Sequence, residues 1–187
     1  MKRNDEQLIS DYLEGDDTAL SMLVDRYLND LCAFAYSLTN DQQSAEDVAQ
    51  EAFVKAWKNM RRFVPGNSFK GWLFRIARNT AIDLLRKKQD IVFSVFETEE
   101  GNIFLDTLKD TEPLPDELLE RAENTHYLEG LLEQLNPAYR EVLTLRYTSN
   151  MTFEEIGQIV GRPLHTVKSQ YRRAITALQR ASQVKPV

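Results

Sequence analysis

The stretch that decides the fold of the last third is Thr152-Phe153-Glu154-Glu155-Ile156-Gly157, Val160-Gly161-Arg162-Pro163, Leu164-His165-Thr166-Val167-Lys168-Ser169. Thr152 and Glu155 have capping-box spacing, which predicts a helix start. Ile156 and Val160, four apart, share one helix face. Gly157 leaves room for a second helix to cross closely. Gly161 suits a tight turn at positive φ, which glycine adopts without steric cost. Pro163 is expected at the first position of the next helix. Val167, Tyr171, Ala174 and Leu178 then recur at helical spacing as an inward stripe. The other side carries Lys168, Ser169, Arg172 and Arg173. A cationic helix on a compact two-helix scaffold is what major-groove reading of DNA requires.

Working outward, the 187 residues are 42% hydrophobic with only seven Gly and six Pro, and few segments alternate apolar with polar. An all-α chain of two small domains is expected. No apolar run approaches the ~20 residues of a membrane span, and no signal peptide is expected at the start. The single Cys, Cys32, excludes an internal disulfide and fits a reducing, cytoplasmic setting. Beside Ala33 and Phe34 it reads as a core residue. One Cys and two separated His are too few for a zinc site, and no cofactor is expected.

The net charge of −6 would argue against a DNA partner, but the charge is not spread evenly. Residues 1–54 carry −9, residues 55–89 carry +9, residues 90–123 carry −9, residues 124–155 carry −3 and residues 156–187 carry +6. Local rather than net charge sets phosphate attraction. Two basic blocks therefore point to two nucleic-acid contacts, although a single block would equally suit a solvated helix face.

The first half reads as helices. One is expected over Asp5 to Leu13, a second from Thr18 to about Leu38, its inner face holding Leu20, Leu23, Val24, Tyr27, Leu28, Leu31 and Ala35. Ser44 is expected to cap a third, with acidic residues in its first turn. Its inner stripe is Ala45, Val48, Ala49, Ala52, Phe53, Ala56 and Trp57, and its outer stripe Asp47, Gln50, Glu51 and Val54. After a loop at Pro65-Gly66-Asn67-Ser68, a long helix is expected from Phe69 to Lys88, burying Leu73, Ile76, Ala77, Thr80 and Leu84. Residues 90–120 lack a sustained period and read as an acidic linker. A further helix carries Tyr127, Leu128, Leu131, Leu132 and Leu135. Asn136-Pro137 then caps a helix from Ala138 to Tyr147, ahead of the helix-turn-helix. Domains are expected at 1–89 and 121–187.

Three motifs carry a resemblance to a known family. Ala45-Glu46-Asp47-Val48-Ala49-Gln50-Glu51-Ala52-Phe53 with Lys55-Ala56-Trp57, and Phe69-Lys70-Gly71-Trp72-Leu73-Phe74-Arg75-Ile76-Ala77-Arg78-Asn79, resemble region 2 of the extracytoplasmic-function (ECF) sigma factors, group 4 of the sigma-70 family. Leu135-Asn136-Pro137-Ala138-Tyr139-Arg140-Glu141-Val142, leading into the helix-turn-helix, is similar to region 4. The resemblance spans about residues 5–88 and 122–182, in the family's order. It implies a protein that binds core RNA polymerase and directs it to promoters. The region 2 domain would grip a coiled coil of the largest subunit and open the minus-10 element. The region 4 domain would bind the polymerase flap and read the minus-35 element. An anti-sigma factor is also implied as partner.

The residues are compatible with each role. Asp47, Gln50 and Glu51 form a polar stripe that suits basic groups on a partner helix; periodicity alone would make it a solvated face, and the resemblance makes it the polymerase contact. The basic stretch from Lys55 to Lys88 mixes Arg61, Arg62, Lys70, Arg75 and Arg78 with Phe63, Phe69, Trp72 and Phe74, which suits single-stranded DNA because bases stack on rings while cations meet phosphate. Trp72 and Phe74 serve equally as core residues. Asn79 aligns with the family position that holds a flipped minus-10 base, and its amide offers both donor and acceptor to a base edge. In the second domain Thr166, Lys168, Ser169, Gln170, Arg172 and Arg173 are the expected minus-35 contacts. Gln170 stands where the family commonly has Arg and would favour adenine over guanine. His165 replaces a residue that is often Gly, and Tyr171 a usual aliphatic.

Two other classes compete. A free-standing helix-turn-helix regulator would bind an operator alone, as a dimer on a palindrome; the basic-aromatic stretch of the first half has no place in it. A helical adaptor would leave the charge blocks without purpose. An enzyme fits least: the sequence offers no Gly-rich phosphate loop, metal cluster or nucleophile-base pair, and no small-molecule substrate or membrane insertion is expected.

Overall fold

The computed structural model describes residues 3–87 and 130–183. These are helical and turn residues, with no strand among them. The described residues fall into two compact units, one before and one after residue 90.

In the first unit, α1 is Asp5–Leu13, α2 Asp17–Thr39, α3 Gln42–Lys58 and α4 Phe69–Lys87, with a 3-10 turn at Met60–Arg62. Each start has a local cause. The Asn4 side chain accepts the Gln7 amide and the Gln7 side chain accepts that of Asn4, a reciprocal capping box that opens α1. Asp16 caps α2 through the Thr18 amide. Asn40, at φ 52°, ends α2 in the left-handed conformation that Asn tolerates better than most residues. Asp41 then caps α3 through the Ser44 amide. This corrects the expectation at Ser44. The helix begins at Gln42 with no acidic residue in its first turn, and Ser44 is buried within it.

Helices α2, α3 and α4 pack on one another, and α1 packs on α2. The α3 stripe is buried from Ala45 to Ala56, with Trp57 half-buried beside it. Asp47, Gln50, Glu51 and Val54 face outward, as the spacing predicts. Two inner faces differ from expectation. On α2, Leu28 is exposed while Phe34 and Leu38 are buried. On α4, Phe74, Ala81 and Leu85 are core, whereas Ile76 and Leu84 are only half-buried. Cys32 is half-buried rather than core, and burial pushes its thiol up from the ordinary value.

In the second unit residues 130–133 are helical, with Leu131 and Leu135 buried; Tyr127, Leu128 and the linker of 90–120 lie outside the described residues. Helix α5 is Pro137–Tyr147, α6 Phe153–Val160 and α7 Leu164–Gln183. The Asn136 side chain accepts the Ala138 amide and Pro137 takes the first helical position, whose N–H would be unpaired anyway. Helices α5 and α7 pack together.

Candidate nucleic-acid interface

The turn between α6 and α7 is built as the sequence predicts. Thr152 and Glu155 form both halves of the capping box. Gly161 sits at φ 69°, ψ 35° and closes α6. A Cβ on Gly157 would stand 2.8 Å from the Arg162 carbonyl oxygen, so only glycine lets the turn fold back this closely. The Arg162 amide donates to the Gly157 carbonyl at 3.0 Å. Pro163 differs by one position from expectation. It precedes the first residue of α7, and its carbonyl accepts the Thr166 and Val167 amides at 3.0 and 3.1 Å. It thus acts as a cap residue rather than the first helical one.

Val167, Tyr171, Ala174 and Leu178 are buried against the unit's core. Phe153 meets Tyr171 edge-on at 5.1 Å, and the Tyr171 and Tyr147 hydroxyls share a hydrogen bond. The larger residue at 171 is therefore accommodated, because its polar end has a partner. Arg146 lies 4.9 Å over the Phe153 ring and donates to the Met151 carbonyl at 2.7 Å, pinning α5 to the start of α6.

Thr166, Lys168, Ser169, Arg172 and Arg173 are half-buried along the rest of α7, while His165 is exposed. Gln170 corrects the sequence reading. It is only 5% exposed. It lies three residues after Val167 and four before Ala174, which is the inward side of the helix. A buried amide there is not presented to a base edge, and adenine reading by Gln170 has no support.

In the first unit α3 and α4 form the walls of an open groove of about 490 Å³, lined by Lys55, Asn59, Arg62, Trp72, Ile76, Asn79 and Thr80. Trp72, Ile76, Asn79 and Thr80 follow helical spacing on one face of α4, and Lys55 and Asn59 are one turn apart at the end of α3. Lys55 Nζ donates to Thr80 Oγ1 at 3.0 Å and pairs with Glu51 at 2.8 Å. Asn59 Nδ2 donates to the Lys55 carbonyl at 2.8 Å. Trp72 is braced by rings: Phe63 at 5.5 Å and Phe69 at 5.8 Å, with Tyr27 in turn tilted against Phe69 at 5.8 Å. Of the expected minus-10 residues, Trp72 and Asn79 meet in this groove, together with Arg62 of the same basic-aromatic stretch. Phe63 supports it from behind, Arg61 and Arg75 are exposed, and Arg78 is half-buried.

Lys70 departs from its expected role. Its ammonium reaches Asp30 on α2 at 3.4 Å and lies about 6 Å from the Tyr27 and Phe74 rings. It ties α4 to α2 and does not line the groove. Sequence reasoning misses Asn59, Ile76 and Thr80 as members of the site, and takes Lys55 only as the start of the basic stretch in which it counts Arg62. Ile76 and Thr80 share the α4 face of Asn79, so helical spacing alone suffices to find them. Lys55 and Asn59 belong to another part of the chain, and only packing brings them in.

Among the described residues no helix is long and apolar enough to cross a membrane, and no group of three or more His, Cys, Asp or Glu is placed to hold a metal.

Comparison with known proteins gives two family matches, Sigma-70 region 2 over residues 23–91 and Sigma-70, region 4 over residues 125–178. The chain is 32% identical over 170 residues to the ECF RNA polymerase sigma factor SigW of Bacillus subtilis (strain 168), covering 89% of this chain and 90% of that one. It is also 32% identical over 188 residues to the RNA polymerase sigma-H factor of Pseudomonas aeruginosa, covering 97% and 95%. Two solved structures are similar. CnrH in complex with the cytosolic domain of CnrY has a TM-score of 0.67 at 25% identity, covering 97% of this chain and 99% of that chain. The sigma factor RpoE of Bartonella quintana, in complex with the anti-sigma factor NepR, has a TM-score of 0.65 at 28% identity, covering 89% and 98%.

Proposed function

The chain belongs to the sigma-70 family as an RNA polymerase sigma factor of the ECF type, and from that premise we propose how its residues divide the work. As such a factor it binds core RNA polymerase and directs promoter-specific initiation of transcription. The unit of α1–α4 captures and opens the minus-10 element. The unit of α5–α7 reads the minus-35 element.

The observation that carries this assignment is the groove in which Asn79 and Trp72 converge with Lys55, Asn59 and Arg62. A base leaving the duplex must recover the stacking it gives up. Trp72 and Ile76 offer apolar surface, Asn79 and Asn59 offer amides, and Arg62 and Lys55 offer charge to a phosphate. The open side of the groove leaves room for a strand to enter. In the other unit Lys168, Ser169, Arg172 and Arg173, with Thr166, meet the major groove. Arg contributes about 1–3 kcal/mol of discrimination where it engages guanine with both nitrogens. Asp47, Gln50 and Glu51, all exposed on α3, form the contact with a basic helix of the polymerase.

The catalysis belongs to the polymerase, and the factor works in the cytoplasm with it. CnrH and RpoE were each solved with a bound protein, CnrY and the anti-sigma factor NepR. An inhibitory partner of that class is accordingly proposed for this chain.

The test is run-off transcription from a genomic promoter library with core polymerase, with and without the protein. Protein-dependent transcripts sharing two spaced upstream elements are expected. In that assay Asn79→Ala should lower transcription about tenfold, with the loss confined to promoters whose downstream element is intact. Absence of transcripts, together with tight binding of the free protein to one operator, would replace the assignment with a stand-alone regulator.

A further inference from the structure

The groove's two sides are joined by a short loop, and that loop is tied at its tip to a helix outside the groove. Arg62 stands at one end of the loop and Trp72 just past the other. Between them Val64-Pro65-Gly66-Asn67 makes a tight turn, with the Asn67 amide donating to the Val64 carbonyl at 3.3 Å and Gly66 at φ 91°. Pro second and a positive-φ Gly third is the pattern of a type II turn. Val64 is 60% exposed, so packing does little to hold the tip.

The tip is held instead by Glu6. Its Oε1 accepts the Gly66 amide at 2.7 Å, across 60 residues of sequence. Glu6 is in the first turn of α1, and α1 is a firm anchor. Leu8 and Ile9 are buried, the capping box fixes its start, and a polar clasp fastens it to α2. In that clasp Arg26 bonds Asp5 and donates to the Arg3 carbonyl at 2.8 Å. Tyr27 also bonds Asp5, and Arg3 pairs with Asp11 and Asp16 at 2.7 and 3.0 Å. At the loop's other end the Gly71 amide donates to Ser68 Oγ at 3.1 Å.

We infer that Glu6 is a positioning residue for promoter opening: it clamps the 63–68 loop so that Arg62 and Trp72 keep the spacing a captured base needs. This rests on the assignment of the groove to the minus-10 strand. A carboxylate accepting a backbone amide is a charge-assisted bond, stronger than its neutral counterpart. A loop held in one shape before binding avoids an ordering cost at the moment of capture. The first helix thus serves the melting step without touching DNA.

The experiment uses the full chain with core polymerase on a linear promoter fragment recovered in the run-off screen. Permanganate reactivity of unpaired thymines reports opening. Band shift in the cold reports closed-complex binding, and thermal unfolding reports stability. Glu6→Ala is expected to lower the open fraction about threefold, with closed-complex binding unchanged and the melting temperature lowered by only about a few degrees. Glu6→Gln, which keeps an acceptor oxygen, is expected to retain more than half of the opening. Asn79→Ala serves as the control for the groove itself. Normal opening by Glu6→Ala beside impaired opening by Asn79→Ala would overturn the inference and leave the groove assignment standing. Normal opening by both would overturn the groove assignment and the inference with it. Equal loss of opening, closed-complex binding and thermal stability in Glu6→Ala would show a folding role and also overturn the inference.

Discussion

Gly157 shows how a single atom sets the geometry of the second unit. Its missing Cβ is what permits the Arg162 carbonyl to approach, since the added carbon would sit 2.8 Å from that oxygen. Gly157→Ala must push the turn apart or strain the backbone, and overpacking of this kind costs about 1–3 kcal/mol. Urea unfolding followed by circular dichroism should show that destabilisation, and promoter binding should fall with it because α7 is displaced. This glycine is legible in the sequence by its place in the motif. Gln170, also within α7, is not, because a polar residue in the stretch from Lys168 to Arg172 looks solvent-facing until its turn of helix is counted against Val167 and Ala174. Lys70 escapes a sequence reading for a different reason. Its cationic end is occupied by Asp30, forty residues earlier, and no local pattern announces that pair.

Among the elements, the helix starts carry a pH signature. Thr18, by its hydroxyl and amide, and Arg3 hold the Asp16 carboxyl below its ordinary range. A carboxyl whose folded-state value is depressed stabilises the fold above its unfolded value near 3.8 and loses that contribution as the pH falls through the folded value. Stability from the α2 cap is therefore complete at neutral pH and declines below about pH 4. Asp16→Asn keeps a capping oxygen but removes the titration. Acid unfolding of this variant should be less steep than that of the parent, and equal steepness would assign the acid response to other carboxylates. Helix boundaries are legible to within a few residues because caps, glycines and prolines announce them. Inner faces are less so. Leu28 obeys the spacing of the α2 stripe yet is exposed, because α3 and α4 cover only one side of that helix while α1 covers another.

At the scale of the whole molecule, the acidic total and the nucleic-acid role are reconciled by placement. The stripe Asp47, Gln50 and Glu51, proposed to face the polymerase, lies in an acidic third of the chain, and the residues proposed to face DNA lie in the two basic blocks. Binding to promoter DNA should therefore weaken steeply with salt despite the net charge of −6. Arg172→Ala should weaken binding and lower the slope of log K against log salt by about one, because one fewer phosphate is neutralised. An unchanged slope with altered preference at one base pair would place Arg172 on a base edge instead.

What the sequence determined by itself was local: the Thr152–Glu155 capping box, the Gly157-to-Pro163 turn, the helix order, the charge blocks, and the family resemblance that these carry. Each is written in residues within a few turns of one another, where propensity and periodicity act directly. What only the tertiary structure decided was which side chains meet. The groove needs Lys55 and Asn59 from the end of α3 beside Trp72 and Asn79 from α4. The clamp needs Glu6 beside Gly66. Such meetings depend on how helices pack, and packing is set by the fit of whole buried faces, which no short window of sequence contains.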